Sequence, residues 1–194
     1  MFNRPFTGQT HFIGALIPPS LSDIILECRA WMHEQYGCRS GYGTPPHITL
    51  IPPFHLPSQY TDADVRNAAA ACVQQCMDTT GTLPFTAHIN GFGAFGDRTL
   101  FAHVISDKAW DTLHAAIYAA FHQQLPDAVQ PDRRPFTPHL TVANRDIPEG
   151  ASFKALQHFN ASDLNVEITI DTIGIFKRTE RGTWQIADTV SCPE

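Results

Sequence analysis

The chain has no run of about eighteen consecutive apolar residues, so no segment reads as a membrane-spanning helix. It also lacks an excess of positive charge. Its 13 Lys and Arg face 19 Asp and Glu, for a formal net charge of −6. Proteins that track a long nucleic-acid backbone draw affinity from many phosphate contacts and carry a basic stripe to make them. No such tracking surface is expected here, and any phosphate ligand should be gripped at a pocket. Cysteine is sparse, with five residues at positions 28, 38, 72, 76 and 192, an odd number in no metal-like spacing. The opening Met1-Phe2-Asn3-Arg4-Pro5 has no apolar stretch of the kind that begins a signal peptide. Free, buried thiols in a cytoplasmic protein are the expectation. Ten histidines are present, yet there is no His-x-His, His-Glu-x-x-His, Gly-x-Ser-x-Gly or P-loop. The usual signatures of zinc hydrolases, serine hydrolases and nucleotide triphosphatases are therefore missing, and neither a metal nor another cofactor is expected.

What the chain does have is one short phrase written twice. Pro46-His47-Ile48-Thr49-Leu50 and Pro138-His139-Leu140-Thr141-Val142 are both proline, histidine, aliphatic, threonine, aliphatic. On an extended strand His and Thr at i and i+2 share a face, while the aliphatic residues turn into a core. A lone His-x-Thr is a weak signal. Here both copies share the preceding proline and both aliphatic positions, and nearly half of the 194-residue chain separates them. Brought face to face, they supply two imidazoles and two hydroxyls around one small space, a set able to hold a phosphate and move a proton on either side of it.

The order of elements gives this repeat an architecture. A strand over 10–17 precedes a helix that Ser20 caps and that runs to about Tyr36. A Gly-, Ser- and Pro-bearing loop leads to the first motif strand, ended by Pro52-Pro53. Thr61-Asp62-Ala63-Asp64 opens a second helix to about Met77. Strands follow over 85–92 and 98–105, then a helix from Asp107 to about Gln124 and a proline-rich loop over 125–138. The second motif strand continues through Arg145. A short helix over 152–159 and strands over 166–176 and 183–190 close the chain. Each half thus carries a helix, a motif strand, a helix and a strand pair. The composition, 43% hydrophobic and 16% charged, suits one globular domain over residues 1–194. We expect an α+β fold of two pseudo-symmetric lobes, each a mostly antiparallel sheet with helices outside, the motif strands facing a central cleft.

The paired motifs, their separation and this element order resemble the 2H phosphoesterase superfamily, and within it bacterial proteins named 2′-5′ RNA ligase or RNA 2′,3′-cyclic phosphodiesterase. The stretches Pro45 to Phe54, Gly91-Phe92-Gly93-Ala94-Phe95 and Pro135 to Asp146 carry the likeness most closely. The resemblance implies a metal-independent phosphodiesterase with His47 and His139 as a general acid and base pair, His47 as acid by analogy. Thr49 and Thr141 would bind the non-bridging phosphate oxygens. The implied substrate is a small nucleotide or an RNA end bearing a 2′,3′-cyclic phosphate, opened to a 2′-phosphate, with 2′-5′ ligation as the reverse. Better-known relatives carry Arg five residues after the second motif histidine. Here Asn144 stands there and Arg145 follows, a residue that a regular strand would place on the face of His139 and Thr141. Phe54, Phe95 and Phe176 are candidate base-stacking surfaces, with Phe54 the one assigned to substrate, and Tyr42 and Tyr60 are further candidates. Arg133, Arg134, Arg145, Lys177, Arg178 and Arg181 supply local positive charge. A monomer is expected. The competing reading is a non-catalytic binder of RNA ends or cyclic nucleotides that uses the histidine pair as a phosphate clamp.

Overall fold

The structure is a computed structural model that describes residues 8–130 and 135–193. The Arg133-Arg134 pair singled out above lies outside the described residues. The elements run β1 (His11–Leu16), α1 (Pro19–Tyr36), β2 (His47–Phe54), α2 (Asp62–Asp78), β3 (Phe85–Ala94), β4 (Thr99–Val104), α3 (Lys108–Gln124), β5 (His139–Asn144), α4 (Ala151–Phe159), β6 (Asn165–Ile170), β7 (Thr172–Arg178) and β8 (Trp184–Ser191).

Local chemistry starts and stops the helices. The Thr61 hydroxyl accepts from the Asp64 amide while the Asp64 carboxylate accepts from the Thr61 amide, a reciprocal cap that opens α2. Asp107 opens α3 by accepting from the Ala109 and Trp110 amides at 2.8 and 3.2 Å. Helix α1 begins earlier than a cap at Ser20 implied. Pro18 is its N-cap and Pro19 its first residue, because a proline loses nothing where the amide has no intrahelical partner. It ends at Gly37, in the left-handed region with φ 70°.

The eight strands form one antiparallel sheet in the order β6-β3-β4-β5-β2-β1-β7-β8. Its halves, β6-β3-β4-β5 and β2-β1-β7-β8, are the two expected lobes, and each ends at the seam with its motif strand. At that seam β2 and β5 share a single paired position, Ile48 opposite Leu140. Helices α1 and α4 pack on the first half, while α2 and α3 pack on the second. Ile48 and Leu140 belong to one apolar cluster with Ile25 and Met32 of α1, Ala69 of α2 and Ile117 of α3. The core thus lies under the helices, and the alternate motif residues face away from it.

Two strand expectations need correction. The stretch expected as one strand over 166–176 is two, β6 and β7, divided at Asp171. β6 pairs with β3 at one edge, whereas β7 pairs with β1 and β8 in the other half. Alternation alone is blind to a crossover between half-sheets, since both strands keep the same period. Strand β2 also runs through Pro52 and Pro53 to Phe54. These prolines sit where β5 no longer accompanies β2, so no ladder amide is needed on that side.

Candidate active site

The seam builds the site. With Ile48 opposite Leu140 in an antiparallel pair, the register sets His47 across from Thr141 and Thr49 across from His139. Each imidazole therefore faces the other strand's hydroxyl, and all four side chains line one cleft of about 660 Å³.

The two motif strands share a local distortion. In β1·β2 the register slips between Gly14↔Thr49 and Ile13↔Ile51. In β4·β5 it slips between Phe101↔Thr141 and Leu100↔Ala143. Each copy thus carries a bulge at the residue after its threonine, Leu50 or Val142. A bulge adds one residue and reverses which face later side chains meet. The burial follows: Leu50 and Ile51 are both buried, and so are Val142 and Ala143. Beyond the second bulge Asn144, not Arg145, is in phase with His139 and Thr141. Arg145 leaves the strand with φ 67°, rare outside glycine, its amide donating to the Arg98 carbonyl at 2.8 Å. It still lines the cleft, but by this turn and not by the regular-strand route expected above.

Both imidazoles are held in one way. The Nδ1–H of His47 donates to the Pro45 carbonyl at 2.7 Å, and that of His139 donates to the Thr137 carbonyl at 2.7 Å. A carbonyl only accepts, so Nδ1 carries the proton and Nε2 is left for the cleft. Each ring rests on two phenylalanines. His47 lies 4.6 Å from Phe12 and 4.7 Å from Phe176, and His139 lies 5.3 Å from Phe101 and 5.5 Å from Phe95, between ring centroids. Gly14 on β1 makes room for the first ring, since a Cβ there would come within 3.0 Å of His47 Cδ2.

Burial dominates the protonation of both. It pushes His47 down to about 4, opposed by the Pro45 carbonyl and reinforced by the charges of Arg29 and His139. Burial also lowers His139, opposed by the Thr137 carbonyl. Without an anion in the cleft, both rings are therefore neutral near pH 7.

Arg29 is the residue that sequence reasoning missed. It projects from α1, is only 5% exposed and lines the cleft. Its Nε and Nη2 donate to the Thr141 carbonyl at 3.2 and 2.9 Å, and its Nη1 donates to the carbonyls of Gly41, at 3.4 Å, and Thr44. No carboxylate pairs with it among the described residues, and burial lowers it to about 10. A buried, unpaired cation is costly, so its place beside the two motifs points to an anion as its partner. The available signal was its position on the buried face of α1, between Ile25 and Met32, where a charge is out of pattern.

The loop between α1 and β2 closes one end of the cleft. The Asp146 carboxylate accepts from the backbone amides of Arg39 and Ser40 at 2.7 and 2.8 Å, and the Ser40 hydroxyl donates to Asn144 Oδ1 at 2.8 Å. Of the aromatic candidates, Phe95 and Tyr42 line the cleft and are 46% and 44% exposed. Phe54 does not line it. At 7% exposed it packs edge-on to Phe121 and against His11; six residues after Ile48 it falls on the core face of the strand, since the two slips in the β1·β2 register cancel in phase. Phe54 is thus a core residue and does not meet substrate, contrary to the expectation above. Phe176 is fully buried under Phe12 and His47, and Tyr60 packs against the core. Arg178 lines the cleft and Arg181 does not, while Lys177 is paired with Asp62 at 2.5 Å. Among the described residues no group of three or more His, Cys, Asp or Glu could hold a metal ion, and no helix is long and apolar enough to cross a membrane.

A bilobal antiparallel sheet with a His-x-Thr strand on each side of its seam defines the two-histidine class of phosphoesterases, whose members are phosphodiesterases and 2′-5′ RNA ligase-like enzymes. The family model for the 2′-5′ RNA ligase superfamily matches residues 17–182, and the chain belongs to that superfamily. A Bacillus cytotoxicus protein named as a phosphoesterase is 25% identical over 147 residues, 75% of this chain and 77% of that one. Among solved structures, TT0787 of Thermus thermophilus has a TM-score of 0.61 at 17% identity, covering 94% of this chain and 97% of that one. LigT of E. coli complexed with 3′-AMP also has a TM-score of 0.61, at 13% identity over 96% and 99% of the two chains. At these identities the two structures speak for the fold.

Proposed function

We propose that this enzyme is a metal-independent phosphodiesterase that opens 2′,3′-cyclic phosphates at RNA ends or on small nucleotides to 2′-phosphates, and that joins ends through a 2′-5′ bond when a 5′-hydroxyl replaces water. The observation that carries the reading is the crossed arrangement at the seam, with each Nε2 facing the cleft opposite the other strand's threonine. A phosphate seated between the strands takes the Thr49 and Thr141 hydroxyls on its non-bridging oxygens, where charge grows as water adds. One neutral imidazole takes the proton from water as the new O–P bond forms. The bond from phosphorus to the 3′ oxygen breaks, and the second ring, as imidazolium, gives that oxygen its proton. The incoming phosphate supplies the charge that makes an imidazolium stable here, because an anion within a few ångströms favours the protonated ring. Arg29 and Arg145 add positive charge to the seat. The LigT complex with 3′-AMP lends support, since a protein of the same fold takes a nucleotide phosphate.

The test is incubation with a nucleoside 2′,3′-cyclic phosphate and chromatographic detection of the 2′-nucleotide. His47→Ala and His139→Ala should each cost on the order of 10²–10⁴ in rate, and EDTA should leave the rate intact. Turnover that survives both substitutions, or that EDTA abolishes, overturns the mechanism. Tight nucleotide binding without product would instead favour the non-catalytic clamp.

A further inference from the structure

The pseudo-symmetry of the chain extends behind the two histidines. Each imidazole donates through Nδ1 to the carbonyl two residues before it, Pro45 for His47 and Thr137 for His139. In both copies that carbonyl belongs to a peptide bond whose nitrogen is a proline's, Pro46 or Pro138. Proline fixes its own φ at about −65° and holds the residue before it extended. The carbonyl and the imidazole that it orients are therefore joined by a stiff arm, and the arm needs an anchor at its far end. In the first copy the anchor is the next residue back. The Thr44 carbonyl accepts from Nη1 of Arg29, a side chain of α1, the helix that precedes the motif strand.

The corresponding residue of the second copy is Phe136, and the corresponding helix is α3, which precedes β5. Among the described residues no backbone–backbone hydrogen bond ties the 135–138 segment to the rest of the chain, and Pro135 and Pro138 have no amide to offer. The Phe136 side chain is what holds it. That ring is half-buried and packs against the apolar core. The His114 imidazole of α3 stacks on it, with ring centroids 4.0 Å apart and planes 15° from parallel. Trp110, one turn earlier on α3 and fully buried, lies 6.4 Å from the Phe136 ring. Tyr118, one turn later, packs against His114 at 4.8 Å. His114 is half-buried and borders the cleft, yet no step of the chemistry set out above uses it.

We propose that His114 is a positioning residue for His139: its ring clamps Phe136, Phe136 fixes the Thr137 carbonyl, and that carbonyl keeps the His139 proton on Nδ1 and aims Nε2 at the phosphate. The proposal rests on the acid–base role given to His139 above. The two helices that lead into the motif strands thus perform one task with different groups, a guanidinium on a carbonyl from α1 and an imidazole on a phenyl ring from α3. What the task requires at position 114 is a flat ring, not a titrating one. Without the clamp, His139 exchanges between its two neutral tautomers. In the fraction that carries its proton on Nε2, the nitrogen facing the cleft has no lone pair with which to accept a proton.

The experiment reads the tautomer directly. Near pH 7, where burial keeps both motif imidazoles neutral, NMR of isotopically labelled ring nitrogens distinguishes a protonated nitrogen from a bare one. Wild-type His47 and His139 should both show a protonated Nδ1. His114→Ala and Phe136→Leu should each move His139 toward a mixture of tautomers and leave His47 unchanged, and His114→Phe should keep the wild-type pattern. Turnover of a nucleoside 2′,3′-cyclic phosphate should follow. For His114→Ala, kcat should fall by about 3- to 10-fold, the net worth of one hydrogen bond, with KM within about 3-fold. For His114→Phe, kcat should stay within about 2-fold of the wild type. A His139 that keeps its Nδ1 proton in both His114→Ala and Phe136→Leu overturns the clamp. So does a change that His47 shares, which marks a general loosening of the sheet. If His114→Phe loses as much turnover as His114→Ala, the imidazole itself acts on substrate and the positioning role falls. A wild-type protein that turns over no cyclic phosphate removes the proposed chemistry, and the NMR comparison still decides the clamp.

Discussion

At the scale of single residues, Arg29 and His47 set the charge state of the site. Arg29 spends its donors on the carbonyls of Thr141, Gly41 and Thr44, so its position does not depend on ligand, and its field acts on His47 at all times. A fixed cation disfavours a second one nearby, hence removing it should raise the His47 titration midpoint from about 4 toward the ordinary value of about 6.5. Arg29→Met should show this upward shift by NMR of the imidazole, Arg29→Lys should show less of it, and phosphate added to the wild type should also move the midpoint up. An unmoved midpoint in Arg29→Met would mean that burial alone holds the ring neutral. The sign matters for catalysis. The free enzyme presents a neutral pair, and one ring becomes an acid only as the phosphate arrives, so the acidic limb of kcat/KM should lie below the ordinary histidine value of about 6.5. The two histidines and two threonines could be picked out in the sequence because the chemistry of the site is written in adjacent positions. Arg29 could not, because its partners lie on the 41–44 loop and on Thr141, and no local pattern connects them. Phe54 is the opposite case: it is near the first motif in sequence, but alternation from Ile48 puts it on the core face, and the two β1·β2 slips cancel and leave it there.

At the scale of elements, the site depends on two bulged strands and one clamped loop. The bulges after Thr49 and Thr141 send the aliphatic pair that follows each threonine into the core and bring Pro52 and Asn144 to the cleft. Consecutive apolar residues, Leu50-Ile51 and Val142-Ala143, are the trace that such a slip leaves in sequence, but a fully buried strand leaves the same trace. That ambiguity is why a regular strand predicts Arg145 on the face of His139 while the bulge puts Asn144 there. The clamp is Asp146, whose carboxylate holds two loop amides while the loop carries Arg39, Ser40 and Tyr42 to the cleft. Asp146→Ala frees those amides to solvent. A charge-assisted bond to a carboxylate contributes about 1.5–3 kcal/mol, enough to keep the loop in one conformation and too little to unfold the sheet. Steady-state kinetics should give a KM higher by about 3- to 30-fold with kcat within about 3-fold, because the freed amides are at Arg39 and Ser40, while Pro45, which anchors His47, lies at the β2 end of the loop beyond the Arg29 bonds to Gly41 and Thr44, and Thr137 anchors His139 from a different loop. A fall in kcat as large as that expected for the histidine variants would instead assign the loop to the chemistry. The helix starts at Thr61 and Asp107 were legible because the groups that cap them lie within three residues, whereas the cap read at Ser20 falls at Pro18.

At the scale of the whole molecule, the repeat predicts two lobes and the sheet supplies them, yet their single-pair seam at Ile48 and Leu140 is a tertiary fact that no repeat announces. The strand over 166–176 illustrates the limit. Its alternation is continuous, but the chain passes between halves at Asp171, a step set by packing. Charge is divided in the same non-local way. A net charge of −6 repels an incoming oligonucleotide at long range, while the arginines of the cleft attract it within about a Debye length. The two terms respond oppositely to salt. If the global charge governed binding, added salt would screen the repulsion and tighten it. If the cleft governs, each phosphate neutralised releases counterion from the ligand, and log affinity falls with log salt by about 0.7 per contact on a single strand. Arg39, Arg145 and Arg178 line the cleft besides Arg29, and three such contacts for a ligand spanning it should make the affinity of a 5′-phosphorylated trinucleotide fall with a slope of about −2 on a log–log plot between about 50 and 200 mM salt. The slope should be shallower by about one contact in Arg178→Gln. A flat or rising plot for the wild type would mean that the acidic exterior, and not the basic cleft, sets the approach of the substrate.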